Sequence, residues 1–335
     1  MRPNLRTEQE IMKNWKDTKT VVSICCLAYN HELYIEDALE GFLIQETDFP
    51  FEVLIHDDAS TDHTADIIRE YELAYPHIIK PIYQTINQFT HGGNITIRYQ
   101  YPRAKGEYIA LCEGDDYWTN SQKLIKSINF LKNNPDYVAC CHDVIIINGK
   151  GELETETPFG KYKGDLYSID DQIRYNNIPT LSLIYRRYFC PNEIEMLRNL
   201  SKNCQYIGDI QRKCFLLKYG KIKYFKEKMG VYRWNRSGGH SFSSQNSLLK
   251  YLDTFFALIN VYKYLNHKSK VLKQEICHIY FRILFVSLKK KQNISVIYHC
   301  LLCIFREKLW FDLLFAFYRL PLYLNLKRIN RILRN

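Results

Sequence analysis

Short apolar segments alternate with amphipathic helical patterns from Val21 onward, and this alternation constrains the fold more than any other feature of the chain. VVSICCLAYN is rich in β-branched and apolar residues, and the apolar positions between Ile35 and Leu43 recur at helical spacing. FEVLIH, IIKPIYQT, EYIALC and YVACCHDVIII repeat the strand pattern. Strands that are apolar along most of their length predict a mostly parallel sheet covered by helices on both faces, an α/β fold.

Polar residues at the ends of the predicted strands are candidates for capping the helices that follow. Asn30 precedes the helix that starts near Ile35, and Ser60 and Thr61 precede the helix that contains Ile67. These side chains accept hydrogen bonds from the first free N–H groups of a helix, so we expect N-caps at these positions.

Carboxylates cluster at the ends of two predicted strands. Asp57 and Asp58 end the second strand, and Glu113, Asp115 and Asp116 end the fourth. Like charges this close raise each other's pKa unless a cation or hydrogen-bond donors neutralise them. Any one of these aspartates could belong to an Asx turn or a helix cap. Because ligands bind outside the carboxyl ends of the strands in such sheets, two clusters at equivalent strand ends favour a binding site.

The cysteines indicate a reduced protein. The chain has 335 residues, is 46% hydrophobic and contains 11 cysteines, an odd number, several of which lie in apolar strand segments. With no secretory leader preceding them, we expect core thiols in a cytoplasmic protein rather than disulfides. Cys300 and Cys303 have CxxC spacing, but they lie in an apolar helical segment without a second pair, which favours packing over metal binding.

The positive charge lies in the last quarter of the chain. Residues 250–335 contain 16 Lys and Arg against 4 Asp and Glu, which gives this segment a net charge of +12. Since the whole chain has a net charge of +10, the residues before Lys250 carry a net charge of −2. A protein that binds nucleic acid through its main domain should be basic there, so no nucleic-acid partner is expected.

The motifs in order resemble those of family 2 glycosyltransferases, inverting enzymes with the GT-A fold. The resemblance is carried, in chain order, by VSICCLAYN, EVLIHDDASTDHTADII, AKGEYIALCEGDDYW and IGDIQ followed by GVYRWNRSGGHS, which together span about two thirds of the sequence. It implies a GT-A catalytic domain that takes a nucleoside-diphosphate sugar, most commonly a UDP-sugar, with Mg2+ or Mn2+ as cofactor.

The resemblance also implies roles for individual residues. Asp209 matches the position of the general base, although an Asp preceding a helix could equally be its N-cap. EGD matches the DxD motif, which makes Asp115, with the neighbouring Asp116, the expected metal ligands. The residues expected to contact the donor are Asn30, Asp57, Asp58, Asn94, Glu113, Asp115, Arg233, Arg236 and His240.

Two departures from the family pattern leave other functions open. Glu113 stands where an Asp is usual, and Asn235 stands where a His is usual, which is consistent with a catalytically silent binding or scaffolding protein. A sugar-phosphate nucleotidyltransferase also uses paired carboxylates and a metal on an α/β sheet. That enzyme should have a Gly-rich, basic phosphate loop after the first strand, whereas this chain has AYNHELYIEDA there.

The sequence divides into an N-terminal extension (1–20), a GT-A domain (21–245) and a basic amphipathic helical tail (246–335). The longest charge-free apolar run of the tail, from Ile294 to Phe305, is shorter than the roughly 20 residues that cross a bilayer. Apolar helix faces flanked by Lys and Arg are typical of helices on an anionic membrane surface, or they could pack on the catalytic domain. The resemblance to family 2 enzymes that build bacterial surface polysaccharides implies a saccharide or lipid-linked saccharide acceptor. Together with the basic tail, it leads us to expect a peripheral location on the cytoplasmic face of the inner membrane.

Overall fold

The structure is a computed structural model that describes residues 5–91, 94–148, 150–154, 164–175, 178–187, 194–195, 198–199, 209–234, 247–266, 268–289, 294–310 and 312–313. The chain divides into two compact units. The first contains residues 1–198 and 212–237, and the second contains residues 199–211 and 238–335.

The first unit is built on a mixed sheet. Its strands in the described residues are β1 Val22–Ala28, β2 Phe51–Asp57, β3 Ile79–Tyr83, β4 Tyr108–Leu111, β5 Tyr117–Trp118, β6 Tyr137–Ile147, β7 Leu166–Tyr167, β8 Ile184–Arg186 and β9 Lys221–Arg233. They lie in the order β3-β2-β1-β4-β8-β6-β9-β5, and β7 pairs with β9.

The half of the sheet that contains β1 to β4 is parallel, as the sequence predicts. β1 pairs in parallel with both β2 and β4, and β2 pairs in parallel with β3. β8 is antiparallel to its neighbours β4 and β6, while β6 and β9 are parallel. β5 and β7 are each antiparallel to β9. The mostly parallel α/β architecture is therefore confirmed.

Helices cover the sheet of the first unit. They are α1 Glu8–Met12, α2 Ile35–Leu43, α3 Thr64–Ala74, α4 Lys123–Asn133 and α5 Ile169–Tyr175, with a π-helical turn at Thr96–Gln100. α2 has the bounds that its apolar spacing predicts, and its residues Ile35, Ala38 and Phe42 are buried in the core. Ile11 of α1 belongs to the same core, so the segment before Val21 packs onto the sheet.

The described residues include a further helix, α6 Asp209–Tyr219. The helices described in the second unit are α7 Ser247–Tyr264, α8 Lys270–Lys289 and α9 Ile294–Arg306. Buried apolar residues from α7, α8 and α9, including Phe255, Ile276 and Cys300, form the interior of that unit. In the portion of the chain that the structure describes, no helix is both long enough and apolar enough to span a bilayer.

The capping predictions for Asn30, Ser60 and Thr61 are wrong. The N–H of Asn30 donates to Ser60 Oγ (2.9 Å), and the N–H of Thr61 donates to Asn30 Oδ1 (2.8 Å), so these residues fasten two turns to each other. α2 and α3 begin without a side-chain hydrogen bond from their N-cap residues. Asp62 accepts instead from the N–H of Thr64 (3.0 Å) at the start of α3.

Candidate active site

Both acidic clusters are fixed to the carboxyl end of β1. The N–H of Asp58 donates to the carbonyl of Ala28 (2.9 Å), and the N–H of Gly114 donates to the carbonyl of Leu27 (2.8 Å). Because β2 and β4 flank β1 on opposite sides, the two clusters approach the same strand end from both sides. The topology therefore gathers carboxylates at one edge of the sheet, where α/β proteins bind ligands.

Asp57 presents a buried carboxylate oxygen that no described residue contacts by a hydrogen bond. The residue is only 2% exposed, and within the described part of the chain its Oδ1 accepts no hydrogen bond. Burial raises the pKa of Asp57, and hydrogen bonding from Ser60 opposes that effect. A buried polar atom without a hydrogen bond is costly, so this oxygen is suited to accept one from a ligand.

Asp58 holds a loop beside Asp57. Its two carboxylate oxygens accept the N–H groups of Gln88 (2.7 Å) and Phe89 (3.0 Å), and its backbone carbonyl accepts from the Asn87 amide (3.2 Å). Burial lowers the pKa of His56, so the ring is neutral at pH 7 and donates Nε2–H to Asp58 (3.2 Å). The described contacts of Asp58 thus anchor the segment Asn87–Phe89.

The second cluster follows β4 in a tight turn. Glycine is favoured at position 114, because a Cβ there would lie 2.9 Å from His31 Nδ1 and from a methyl group of Ile35, and 3.2 Å from the carbonyl oxygen of Leu27. Glu113 and Asp115 are partly exposed, whereas Asp116 is buried. Burial, together with repulsion from Asp115 and Glu113, raises the pKa of Asp116 well above its usual range. This is the mutual repulsion that the sequence predicts.

The end of β9 lies against this turn. The N–H of Arg233 donates to Asp116 Oδ1 (2.8 Å), so at most the other oxygen of Asp116 is available to a cation. The Arg233 side chain pairs with Asp37 of α2. Sequence reasoning missed Asp37, because an acidic residue in the first turn of a helix already has a local explanation in the helix dipole.

Asn94 has a local structural contact. Its Oδ1 accepts the N–H of Ile97 (3.1 Å) and so stabilises the start of the π-helical turn. The sequence places Asp209 just before a helix, whereas the structure has it as the first residue of α6; its side chain lies outside the described residues. Arg236 and His240 also lie outside them. The predicted contacts of these residues with a donor or acceptor stay predictions.

The acidic turn fits a hard divalent cation. Its donors are carboxylate oxygens, which Mg2+ and Mn2+ prefer, and a cation would offset the repulsion that raises the pKa of Asp116. Among the side chains that the structure describes, no group of three or more His, Cys, Asp and Glu is arranged to hold a metal ion. A cation bound through one or two carboxylates and completed by substrate phosphates requires no such group.

Comparisons with known proteins identify the family. The profile of glycosyl transferase family 2 matches residues 23–190, which include both acidic clusters. The chain belongs to glycosyl transferase family 2, as its motifs predict.

Two curated proteins are similar to this chain in sequence. An uncharacterized protein of Mycobacterium tuberculosis, Rv1520, is 43% identical over 166 residues, covering 50% of this chain and 47% of that protein. The putative teichuronic acid biosynthesis glycosyltransferase TuaG of Bacillus subtilis is 34% identical over 120 residues, covering 36% and 44% of the two chains. This chain thus spans about half the length of the curated relatives it matches.

The fold resembles that of a solved glycosyltransferase. The crystal structure of S. aureus TarS 1-349 in complex with UDP-GlcNAc matches with a TM-score of 0.55 and 19% identity, over 83% of this chain and 76% of that one. The predicted GT-A fold with a C-terminal helical region is confirmed.

Proposed function

We propose that this chain is an inverting, divalent-cation-dependent glycosyltransferase that moves a sugar from a nucleoside-diphosphate sugar to a saccharide or lipid-linked saccharide in cell-surface polysaccharide synthesis. A UDP-sugar is the first donor to test, because uridine donors are the commonest in the family. TuaG, whose name assigns it to teichuronic acid biosynthesis, supports the choice of a surface polysaccharide.

One observation carries the proposal. Asp58 and Gly114, from the two acidic clusters, are hydrogen-bonded to consecutive carbonyls at the end of β1, and the neighbouring Asp57 keeps a buried Oδ1 that has no partner among the described residues. An N–H or hydroxyl of the nucleoside would satisfy that oxygen, while the Glu113–Asp116 turn would face the diphosphate. One ligand with a polar nucleoside and an anionic diphosphate therefore uses both clusters.

The residues around Asp57 give the nucleoside pocket a fixed wall. Asp58 anchors Asn87–Phe89 through two N–H groups, and its partner His56 packs against the Tyr99 ring at 4.9 Å between centroids. Asp58 is thereby proposed to support the pocket, with Asp57 as the direct contact. Asn30, Asn94, Arg236 and His240 are proposed as further donor contacts on the family resemblance alone.

Transfer with inversion needs a base for the acceptor. The acceptor hydroxyl oxygen attacks the anomeric carbon as the bond from that carbon to the diphosphate oxygen breaks, and the hydroxyl proton passes to a carboxylate. Asp209 is proposed to take this proton, since it begins α6 where the family motif has its base.

Asp115 is proposed as the main cation ligand, with the remaining oxygen of Asp116 and the partly exposed Glu113 beside it. A bound cation would supply charge stabilisation to the leaving nucleoside diphosphate. Asp115 suits this role because its carboxylate is partly exposed, whereas Asp116 is buried and bonded to Arg233.

The second unit is proposed to hold the enzyme on an anionic membrane surface at the cytoplasmic face of the inner membrane. Tyr298, Leu302 and Phe305 follow one another at helical spacing on α9 and are 58%, 45% and 55% exposed. An exposed apolar stripe in a segment with net charge +12 favours anionic lipid headgroups with apolar chains beneath them. A lipid-linked acceptor would be available at that surface.

Nucleotide binding tests the proposal before any acceptor is known. UDP, GDP, dTDP and CDP are titrated by calorimetry with Mn2+, with Mg2+ and with EDTA, on the wild type and on Asp57→Asn and Asp66→Asn. We expect one diphosphate to bind only with a cation and Asp57→Asn to weaken that binding. Asp66 is an exposed surface residue of α3, so its variant should bind as the wild type does. Absence of binding to every diphosphate in both metals would refute the proposal.

A further inference from the structure

The Arg233 side chain is held from four directions. Nη2 pairs with the Asp37 carboxylate, and Nη1 donates to the backbone carbonyl of Asp115 (2.7 Å). The guanidinium lies over the rings of Tyr34 and Tyr117, 5.0 and 4.7 Å from their centroids. The side chain is 9% exposed. Its two terminal nitrogens and its flat faces are therefore already used by the protein.

Two of these contacts, to the Asp115 carbonyl and the Tyr117 ring, are with one backbone segment, residues 115–118. The backbone N–H of Arg233 also donates to Asp116 Oδ1 (2.8 Å). Next to this contact, Tyr117 and Trp118 pair in antiparallel register with Val231 and Gly230 of β9. The end of β9 thus fixes the segment through its backbone as well as through the Arg233 side chain.

α2 supports the same segment from its other side. Tyr34, Asp37 and Gly41 are spaced by three and four residues, which places them on one face of the helix. A Cβ on Gly41 would lie 2.8 Å from the backbone N and O of Trp118, and Phe42 contacts the Trp118 ring edge to face at 5.0 Å between centroids. The helix therefore lies directly against the segment that Arg233 holds.

We infer that Asp37 and Arg233 are positioning residues, which hold the backbone of residues 115–118 so that the Asp115 carboxylate faces the cation and diphosphate. The inference rests on the proposed function. It replaces the expectation that Arg233 contacts the diphosphate itself, because that contact would require Arg233 to leave a nearly buried ion pair and two aromatic faces. Asp37, 196 residues earlier in the chain, thereby becomes part of the donor site without touching the donor.

A double-mutant cycle distinguishes positioning from direct phosphate contact. Asp37→Asn, Arg233→Gln and the double variant are titrated with the tightest-binding nucleoside diphosphate, with Mn2+ and with EDTA. For positioning, each single variant should weaken Mn2+-dependent binding by about tenfold, as expected when the support of a metal ligand is lost. The double variant should bind the diphosphate no more weakly than the single variant with the lower affinity, because each change removes the same Asp37–Arg233 interaction.

One conservative variant and one control variant help to distinguish the two roles of Arg233. Arg233→Lys keeps the charge but cannot make the same two-nitrogen contact, so it should remain defective if Arg233 positions the turn. It should recover binding if a positive charge near phosphate is what matters. Asp66→Asn, which removes a carboxylate that pairs with Arg69 on α3, should have no effect. A single variant could fail to fold because a buried charge has lost its partner. In that case, Mn2+-dependent diphosphate binding is compared between the wild type and the double variant, which removes both charges.

Three results would overturn the assignment. Wild-type binding in Asp37→Asn together with a large loss in Arg233→Gln would make Arg233 a phosphate ligand. Additive losses in the double variant would show that the two residues act separately. Unchanged binding in all three variants would remove the positioning role alone, whereas a wild type that binds no diphosphate would overturn the proposed function and this assignment with it.

Discussion

Lys123 gives a quantitative prediction about stability. It is the first residue of α4, it is fully buried, and its Nζ has no hydrogen-bond partner in the portion of the chain that the structure describes. The ammonium group lies 3.9 Å from the centroid of the Trp118 ring. Burial lowers the pKa of Lys123 to about 7 from 10.5, and the neighbouring groups that titrate include the thiols of Cys112, Cys140 and Cys141 and the His142 ring.

The sign of the pH dependence follows from proton binding. Between pH 7 and 10.5 the unfolded chain keeps the Lys123 proton and the folded chain loses it, so the free energy of unfolding rises with pH in this window. At about 1.36 kcal/mol per pKa unit, the difference between 10.5 and about 7 gives an upper limit of about 5 kcal/mol. The contact with Trp118 favours the charged amine by about 2 kcal/mol, which leaves about 3 kcal/mol.

The prediction is tested with Lys123→Met, which keeps the unbranched stem and removes the charge. Urea denaturation at pH 7 and pH 10 should show the variant about 3 kcal/mol more stable than the wild type at pH 7, with most of that advantage lost at pH 10. Lys132→Met, at an exposed position of the same helix, is the control and should show no such pH dependence. An advantage equal at both pH values, or a variant less stable than the wild type at pH 7, would refute the reasoning.

Three further predictions concern the site and the second unit. Asp209→Asn should lower kcat by roughly a hundredfold with nucleotide affinity little changed, whereas unchanged kcat with about 1 kcal/mol lost in urea denaturation would make it only a helix cap. Asp58→Asn should lose one of its charged contacts to Asn87–Phe89, which should lower the free energy of unfolding in urea by about 2 kcal/mol and weaken nucleotide binding in calorimetry. Wild-type values in both measurements would contradict the anchoring role of Asp58. Leu302→Ser with Phe305→Ser should reduce cosedimentation with phosphatidylglycerol-containing vesicles but not the melting temperature, and wild-type sedimentation would count against the membrane proposal.

The parallel half of the sheet was predictable because burial on both faces leaves a local signal. β1 and β2 are buried along nearly their whole length and each has a run of apolar residues, and the helix between them has the bounds that its spacing indicates. β9 was harder to recognise. Its middle residues, Lys226, Glu227 and Lys228, are exposed, so its sequence suggests two short strands where the structure has one. The two-residue strand β5 is too short to leave a pattern, and only its pairing with β9 defines it.

The candidate site also has features that the sequence predicts and features that it does not. The carboxylates at the strand ends were predictable, since strand order alone brings the ends of β2 and β4 next to β1. The contacts of Asn30 and Arg233 were not predictable, because their partners lie far away in the chain. Asn30 bonds to Thr61, 31 residues later, and Arg233 pairs with Asp37, 196 residues earlier. Contacts of this kind are fixed by tertiary packing and leave no spacing to recognise.

The most direct test of the central claim is release of nucleoside diphosphate from a panel of nucleotide sugars by the wild type and Asp115→Asn, each with Mn2+ and with EDTA. The proposed site predicts release from at least one sugar nucleotide that needs the cation, and a loss of about a hundredfold or more in the folded Asp115→Asn protein, since a neutral amide is a poor ligand for a hard cation. Release that continues at the same rate in EDTA, or that is unchanged in Asp115→Asn, would contradict the claim that the Glu113–Asp116 turn holds a catalytic metal.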